Sequence, residues 1–142
     1  VKTIGDRSRF SEKVQASLEK IESLTAAGEQ MTFVLALNYS SRSEIVTAVQ
    51  RLAQRVAAGE IKAEEIDEKM ISDSLYTSFM PDPDLIIRTS GECRLSNFLM
   101  WQASYSEFYF TPTLWPDFDK AELEKALEAY SARDRRYGLV KK

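Results

Sequence analysis

Residues Pro81 to Phe118 read PDPDLIIRTSGECRLSNFLMWQASYSEFYFTPTLWPDF. Pro81 and Pro83 break whatever precedes them, and Asp84–Thr89 follows as a strand. Its apolar run Leu85-Ile86-Ile87 has the character of a buried parallel strand, and Arg88 arrives at the carboxyl end, where open α/β sheets receive their ligands. The next residues, Thr89 to Ser96, can turn sharply at Gly91 and present hydroxyls, backbone N–H groups and a second guanidinium, Arg94. That chemistry suits phosphate. Leu95 to Ser104 carries helical spacing at Phe98, Leu99, Trp101 and Gln102, whereas Glu107 to Phe110 has the aromatic enrichment of a strand. A strand, a helix and a second strand are therefore expected here.

Working outward, Val1–Ile4 is a short strand candidate and Gly5–Arg9 a polar turn. Val14, Leu18, Ile21 and Leu24 lie on one helical face after Ser11 and Glu12, with Gly28 placed as a C-terminal cap. Met31–Leu37 is a continuous apolar run expected as a central strand. Ser43 or Ser41 is expected to cap a further helix, with Glu44 in its first turn and Ile45, Val46, Val49, Leu52, Ala53 and Val56 as its buried stripe. Glu60–Phe79 predicts one or two short helices, starting near Ala63 or Ser72. Past the Trp115–Phe118 turn, Lys120–Arg133 predicts a last helix facing inward through Leu123, Ala126, Leu127 and Tyr130. Strands alternating with helices indicate an α/β fold, a mostly parallel sheet flanked by helices.

The 142 residues, 44% hydrophobic and 29% charged, fit one domain spanning residues 1–142. A net charge of −3 argues against a nucleic-acid partner, which needs a concentrated positive surface. One cysteine, Cys93, forms no internal disulfide, so a cytoplasmic location is expected. No apolar run approaches the roughly 20 residues that span a bilayer. The chain has no histidine, which leaves carboxylates, arginines or an oxygen-bound metal to carry any chemistry. Neither a G-x-G-x-x-G nor a G-x-x-x-x-G-K-[ST] loop is present, which weakens a general nucleotide-binding reading.

The block from Ile87 to Phe118 resembles the signature region of the cis-prenyltransferase family. Asn38-Tyr39-Ser40-Ser41-Arg42-Ser43-Glu44-Ile45 resembles the family's N-Y-G-G-R-x-E-I landmark, and Arg136-Tyr137-Gly138 its terminal arginine-x-glycine element. The resemblance implies a Mg²⁺-dependent enzyme that adds isopentenyl diphosphate to an allylic diphosphate such as farnesyl diphosphate, giving a long cis-polyprenyl diphosphate. It implies that Arg88, Arg94, Leu95 and Ser96 form the isopentenyl diphosphate site and that Glu107 is a magnesium ligand, the two arginines and the acid converging on one diphosphate–magnesium cluster at the rim of the sheet. It also implies a homodimer, with the aromatic segment at the contact, and at most peripheral contact with a membrane. The family's aspartate-bearing N-terminal block has no counterpart here. The chain, opening on Val1, is therefore expected to be a C-terminal portion, inactive alone, with no catalytic residue of its own and the catalytic aspartate upstream.

Each assignment has a plainer counterpart. Arg88 alone reads as a strand-end charge and Glu107 alone as a surface acid; the motif is what turns both toward a site. Glu92 reads equally as an arginine partner or a solvated acid, and Asn38 and Arg42 as turn residues or active-site floor. Arg135, Arg136 and Gly138 close over a diphosphate or belong to a basic tail that also holds Arg133, Lys141 and Lys142. Cys93 stands where relatives can carry histidine, and a neutral thiol is a poor Mg²⁺ partner, so it is left out of the metal site. A non-catalytic subunit of a heteromeric enzyme is the alternative, against which the retention of Arg88, Arg94, Ser96 and Glu107 speaks.

Overall fold

The computed structural model describes residues 1–133. The expectations placed on Arg135, Arg136, Gly138, Lys141 and Lys142 lie outside the described residues. The chain divides into two compact units, Val1–Pro81 and Asp82 onward, each an α/β assembly with a parallel strand pair.

In the first unit, β1 (Lys2–Ile4) pairs in parallel with β2 (Val34–Ala36), Lys2 opposite Val34 and Ile4 opposite Ala36. Parallel neighbours need a crossover, and α1 (Glu12–Leu24) provides it. Only the middle of the Met31–Leu37 run becomes strand. A two-stranded sheet leaves its flanks uncovered, so Met31 and Phe33 are exposed rather than central. Gly5 ends β1 at φ +111°, and a Cβ there would lie 2.1 Å from the Leu37 carbonyl oxygen. Close backbone approach fixes glycine at this position.

Ser40 caps α2 (Ser41–Ala57), accepting from the Ser43 N–H at 3.3 Å. The buried face of α2 differs from the expected stripe: Ser41, Glu44, Ala48 and Leu52 are buried, while Val46 and Val49 are more than half exposed. The reason is Glu44, 1% exposed, whose carboxylate accepts from the Tyr39 hydroxyl at 2.5 Å and the Tyr76 N–H at 2.7 Å. Those donors satisfy a buried acid and draw its face of the helix inward. Val49, Leu52 and Val56 line an apolar hollow with Ile66 and Ile71, next to α3 (Glu68–Ser74). Asp67 caps α3 through the Met70 N–H at 2.7 Å, and a 3₁₀ turn over Ala63–Glu65 precedes it.

In the second unit, β3 (Leu85–Arg88) pairs in parallel with β4 (Glu107–Phe110), Leu85 opposite Glu107 and Arg88 opposite Phe110. The expected helix over 95–104 does not form. Ser96, Asn97 and Leu99 take φ of +50°, +63° and +47°, which no right-handed helix accommodates, and only a 3₁₀ turn over Gln102–Tyr105 remains. Asp119 caps α4 (Lys120–Ser131), whose one buried residue is Ala126; Leu123 and Leu127 of the expected stripe are exposed.

Candidate active site

Side chains alternate along a strand, so Ile86, Arg88, Phe108 and Phe110 share one face of the β3–β4 pair, and Ile87, Glu107 and Tyr109 share the other. Phe108 and Phe110 stack with ring centroids 5.9 Å apart, which builds an apolar floor on the first face. That floor belongs to a hollow of about 250 Å³ whose other walls are Arg88, Arg94, Leu95 and Phe98. A second hollow of about 510 Å³ is lined by Arg88, Thr89, Ser90, Glu92, Trp115 and Phe118. Arg88, the last residue of its strand, borders both.

The two expected diphosphate arginines are thus brought to one hollow, which Leu95 also lines. They are not equivalent. Arg94 forms an ion pair with Glu92 and is 64% exposed, whereas the Arg88 guanidinium has no ionic or hydrogen-bond partner among the described residues. An arginine carries five donors, and one left open beside an apolar wall is prepared for an anion with several acceptor oxygens. Ser96 is exposed on the same loop and lines neither hollow, and Cys93 lines neither.

The loop after β3 holds its shape by unusual backbone. Ser90 and Gly91 take φ of +67° and +68°, and with Ser96, Asn97 and Leu99 they make five left-handed residues within ten. Such non-glycine conformations cost on the order of 1 kcal/mol or more each and cluster where function needs them. The loop is pinned by Ser90 N–H to Thr113 O at 2.8 Å and Gly91 N–H to Thr111 O at 2.9 Å. Thr113 in turn donates to Glu122 Oε2 at 3.0 Å, and Thr111 Oγ1 lies 3.3 Å from the same oxygen. Hydrogen bonding from Lys125, then Thr113, holds the Glu122 carboxyl below the usual glutamate range.

Glu107 does not converge with the arginines, and the expectation of one shared cluster within this chain is corrected. The parallel register sets Glu107 opposite Leu85, three residues from the Arg88 end, about 10 Å along the strand, and on the opposite face. Head and tail of a parallel pair cannot meet. Glu107 Oε2 is instead bound by Arg133 Nη1 at 2.5 Å, while Arg133 Nη2 donates to Phe108 O at 2.7 Å. Among the described residues no group of three or more His, Cys, Asp and Glu side chains could hold a metal. Mg²⁺ is commonly held by one or two carboxylates together with substrate phosphates and water, so the donor chemistry of Glu107 fits an ion arriving with a diphosphate.

Trp115 and Phe118 also line a hollow, a role that their turn-forming sequence does not signal. Arg133 carried no local signal, standing 26 residues from its partner. Asn38 and Asp6 act as turn residues: Asn38 Nδ2 donates to Asp6 O at 2.9 Å, and Asp6 accepts from Ser8 N–H at 2.9 Å. Ser40 sits at φ −147°, so this turn needs no glycine there.

An open arginine at the carboxyl end of parallel strands, beside an aromatic floor, defines an α/β protein equipped to bind an anion that carries an apolar group. The family model described as "Putative undecaprenyl diphosphate synthase" matches residues 1–138. The chain belongs to this cis-prenyltransferase family, and its fold is undecaprenyl diphosphate synthase-like. It is 53% identical over 140 residues to an isoprenyl transferase of Agrobacterium fabrum, covering 99% of this chain and 57% of that protein. It is 46% identical over 140 residues, 99% of this chain and 56% of the relative, to a farnesyl-diphosphate-specific ditrans,polycis-undecaprenyl-diphosphate synthase of Vibrio vulnificus. A crystal structure of lavandulyl diphosphate synthase from Lavandula x intermedia with dimethylallyl diphosphate superposes with a TM-score of 0.94 at 42% identity, covering 96% of this chain and 59% of that one. The chain spans a little over half the length of the curated relatives it matches.

Proposed function

We propose that this chain contributes the isopentenyl diphosphate half-site of a cis-prenyltransferase that condenses isopentenyl diphosphate with an allylic diphosphate, giving a long cis-polyprenyl diphosphate. The observation that carries this reading is the Arg88 guanidinium, unpaired among the described residues, which lines an apolar hollow together with Arg94. The arginines grip the diphosphate, and the Phe108–Phe110 floor receives the short hydrocarbon and keeps water from it. Farnesyl diphosphate is the proposed allylic partner, since relatives named for that substrate are nearly half identical to this chain.

Mg²⁺, when bound, neutralises diphosphate charge that the arginines alone leave unbalanced. Glu107 is its proposed carboxylate. Glu107 lies at the far end and face of the strand pair, and in the proposed homodimer it meets the hollow of a second copy. Residues 1–142 are proposed as the C-terminal portion of one enzyme, with the catalytic aspartate supplied upstream. Work at the cytoplasmic membrane surface suits a lipid product; no helix among the described residues is long and apolar enough to cross a membrane. The alternative of a non-catalytic subunit finds no support in the relatives.

The test is incorporation of labelled isopentenyl diphosphate by the full-length protein supplied with farnesyl diphosphate and Mg²⁺. A long labelled lipid is expected, and Arg94→Ala is expected to raise the KM for isopentenyl diphosphate far more than that for farnesyl diphosphate. Pure, folded protein that incorporates nothing would overturn the proposal.

A further inference from the structure

We propose that Arg133 is a positioning residue for Glu107, holding one carboxylate oxygen so that the other is presented to the divalent cation accompanying the diphosphate. This rests on the reading of Glu107 as a metal ligand. The Arg133 guanidinium works as a fork: Nη1 meets Glu107 Oε2 at 2.5 Å and Nη2 meets the Phe108 carbonyl at 2.7 Å. An ion pair between two surface side chains restrains little. Here the second prong grips the backbone of β4, so the guanidinium keeps its place relative to the strand that carries Glu107. Its own backbone is set by the end of α4, Arg133 N–H donating to Tyr130 O at 3.1 Å.

Glu107 Oε1 has no protein partner among the described residues. The carboxylate is thus divided into a tethered oxygen and an open one. Carboxylates that ligate metals are commonly hydrogen-bonded through groups behind them, which fixes their orientation. Arg133 need not leave when a cation arrives, because the cation takes the other oxygen. A competing arginine would instead occupy both oxygens and yield them on metal binding.

Full-length wild type and the variants Arg133→Gln, Arg133→Lys and Glu107→Gln separate these possibilities. Mn²⁺ serves as the probe, its binding followed by electron paramagnetic resonance in the presence of isopentenyl diphosphate, with steady-state KM values measured in parallel. Arg133→Gln is expected to weaken Mn²⁺ binding about tenfold while leaving the KM for farnesyl diphosphate unchanged. Arg133→Lys is expected to recover only part, because an ammonium keeps the charge without the planar fork. An Arg133→Gln protein with wild-type melting temperature that binds Mn²⁺ as tightly as wild type, or more tightly, overturns the inference. Should the glutamine variant fail to fold, the lysine variant carries the test, and wild-type Mn²⁺ affinity there overturns it equally. If Glu107→Gln weakens Mn²⁺ and Arg133→Gln does not, the inference falls alone; if Glu107→Gln changes nothing, the metal role of Glu107 falls with it.

Discussion

The two units use the same parts, a parallel strand pair with polar residues at its carboxyl end, and spend their polar groups differently. In the first, those groups are closed on one another. Glu44 is met by Tyr39 and the Tyr76 N–H, Asn38 by the Asp6 carbonyl, and Arg7 by Glu22 and Thr3. In the second, Arg88 is left open among the described residues at two hollows, at the strand end that leads into a loop held in left-handed backbone. A group already satisfied stabilises the fold and has nothing to offer a ligand. An unsatisfied one contributes little to stability and much to binding. The contrast implies that substitutions in the first unit change stability and those at the hollow change affinity.

The largest expected effect is at the hollow. Arg88→Ala should lower kcat/KM for isopentenyl diphosphate on the order of 100-fold, the loss of two charge-assisted bonds at about 1.5 kcal/mol each. Its melting temperature should stay at the wild-type value, since no partner is orphaned; a large fall in stability would break the comparison. Next comes Gly5→Ala, where a Cβ 2.1 Å from the Leu37 oxygen at φ +111° forces the β1–β2 ends apart. Urea denaturation should show a loss of about 3 kcal/mol. Glu44→Ala leaves the Tyr76 N–H and Tyr39 hydroxyl without their acceptor and should cost about 2 to 3 kcal/mol by the same measurement. A preserved KM for isopentenyl diphosphate in both variants would sharpen the contrast.

The smallest effect is in acid. Burial acts to raise the Glu22 pKa, but Thr3 hydrogen bonding and the Arg7 guanidinium together hold it below the ordinary value of 4.5. A depressed folded pKa gives stability that is complete above the unfolded value and lost as pH falls through the folded one. Wild-type stability should therefore decline below about pH 4.5, and Glu22→Gln should flatten that decline in a pH series of urea midpoints. An identical acid profile in the variant would show that the Arg7–Glu22 contact carries nothing.

What was legible from sequence follows from how far each signal reaches. The bounds of β4 were a local matter of aromatic content and stand as read; β3 is one residue shorter at each end than the expected Asp84–Thr89, and α2 is capped by Ser40 rather than by Ser41 or Ser43. Fold class and family rested on a motif that spans most of the chain, and they stand too. The helix over 95–104 failed because its apolar spacing says nothing of backbone sign, and Ser96, Asn97 and Leu99 turn left-handed. The buried face of α2 was misplaced because a periodicity argument treats every glutamate as exposed, whereas Glu44 finds its donors at Tyr39 and, 32 residues away, Tyr76.

Glu107 is the most instructive case. Once β3 and β4 are parallel, the first residue of one and the last of the other are held apart by the length of the pair. The expectation of a single cluster within one chain conflicted with the expectation of parallel pairing, and pairing prevails because the register binds every residue of the strand. Arg133 was beyond reach for a related reason: nothing near it in sequence marks the acid it holds.

Equilibrium binding of isopentenyl diphosphate and, separately, farnesyl diphosphate to full-length wild-type and Arg88→Ala protein tests the central claim most directly. An open Arg88 that serves one half-site predicts a loss of isopentenyl diphosphate affinity on the order of 100-fold with farnesyl diphosphate binding unchanged. Equal losses for both ligands, or none for either, would contradict it.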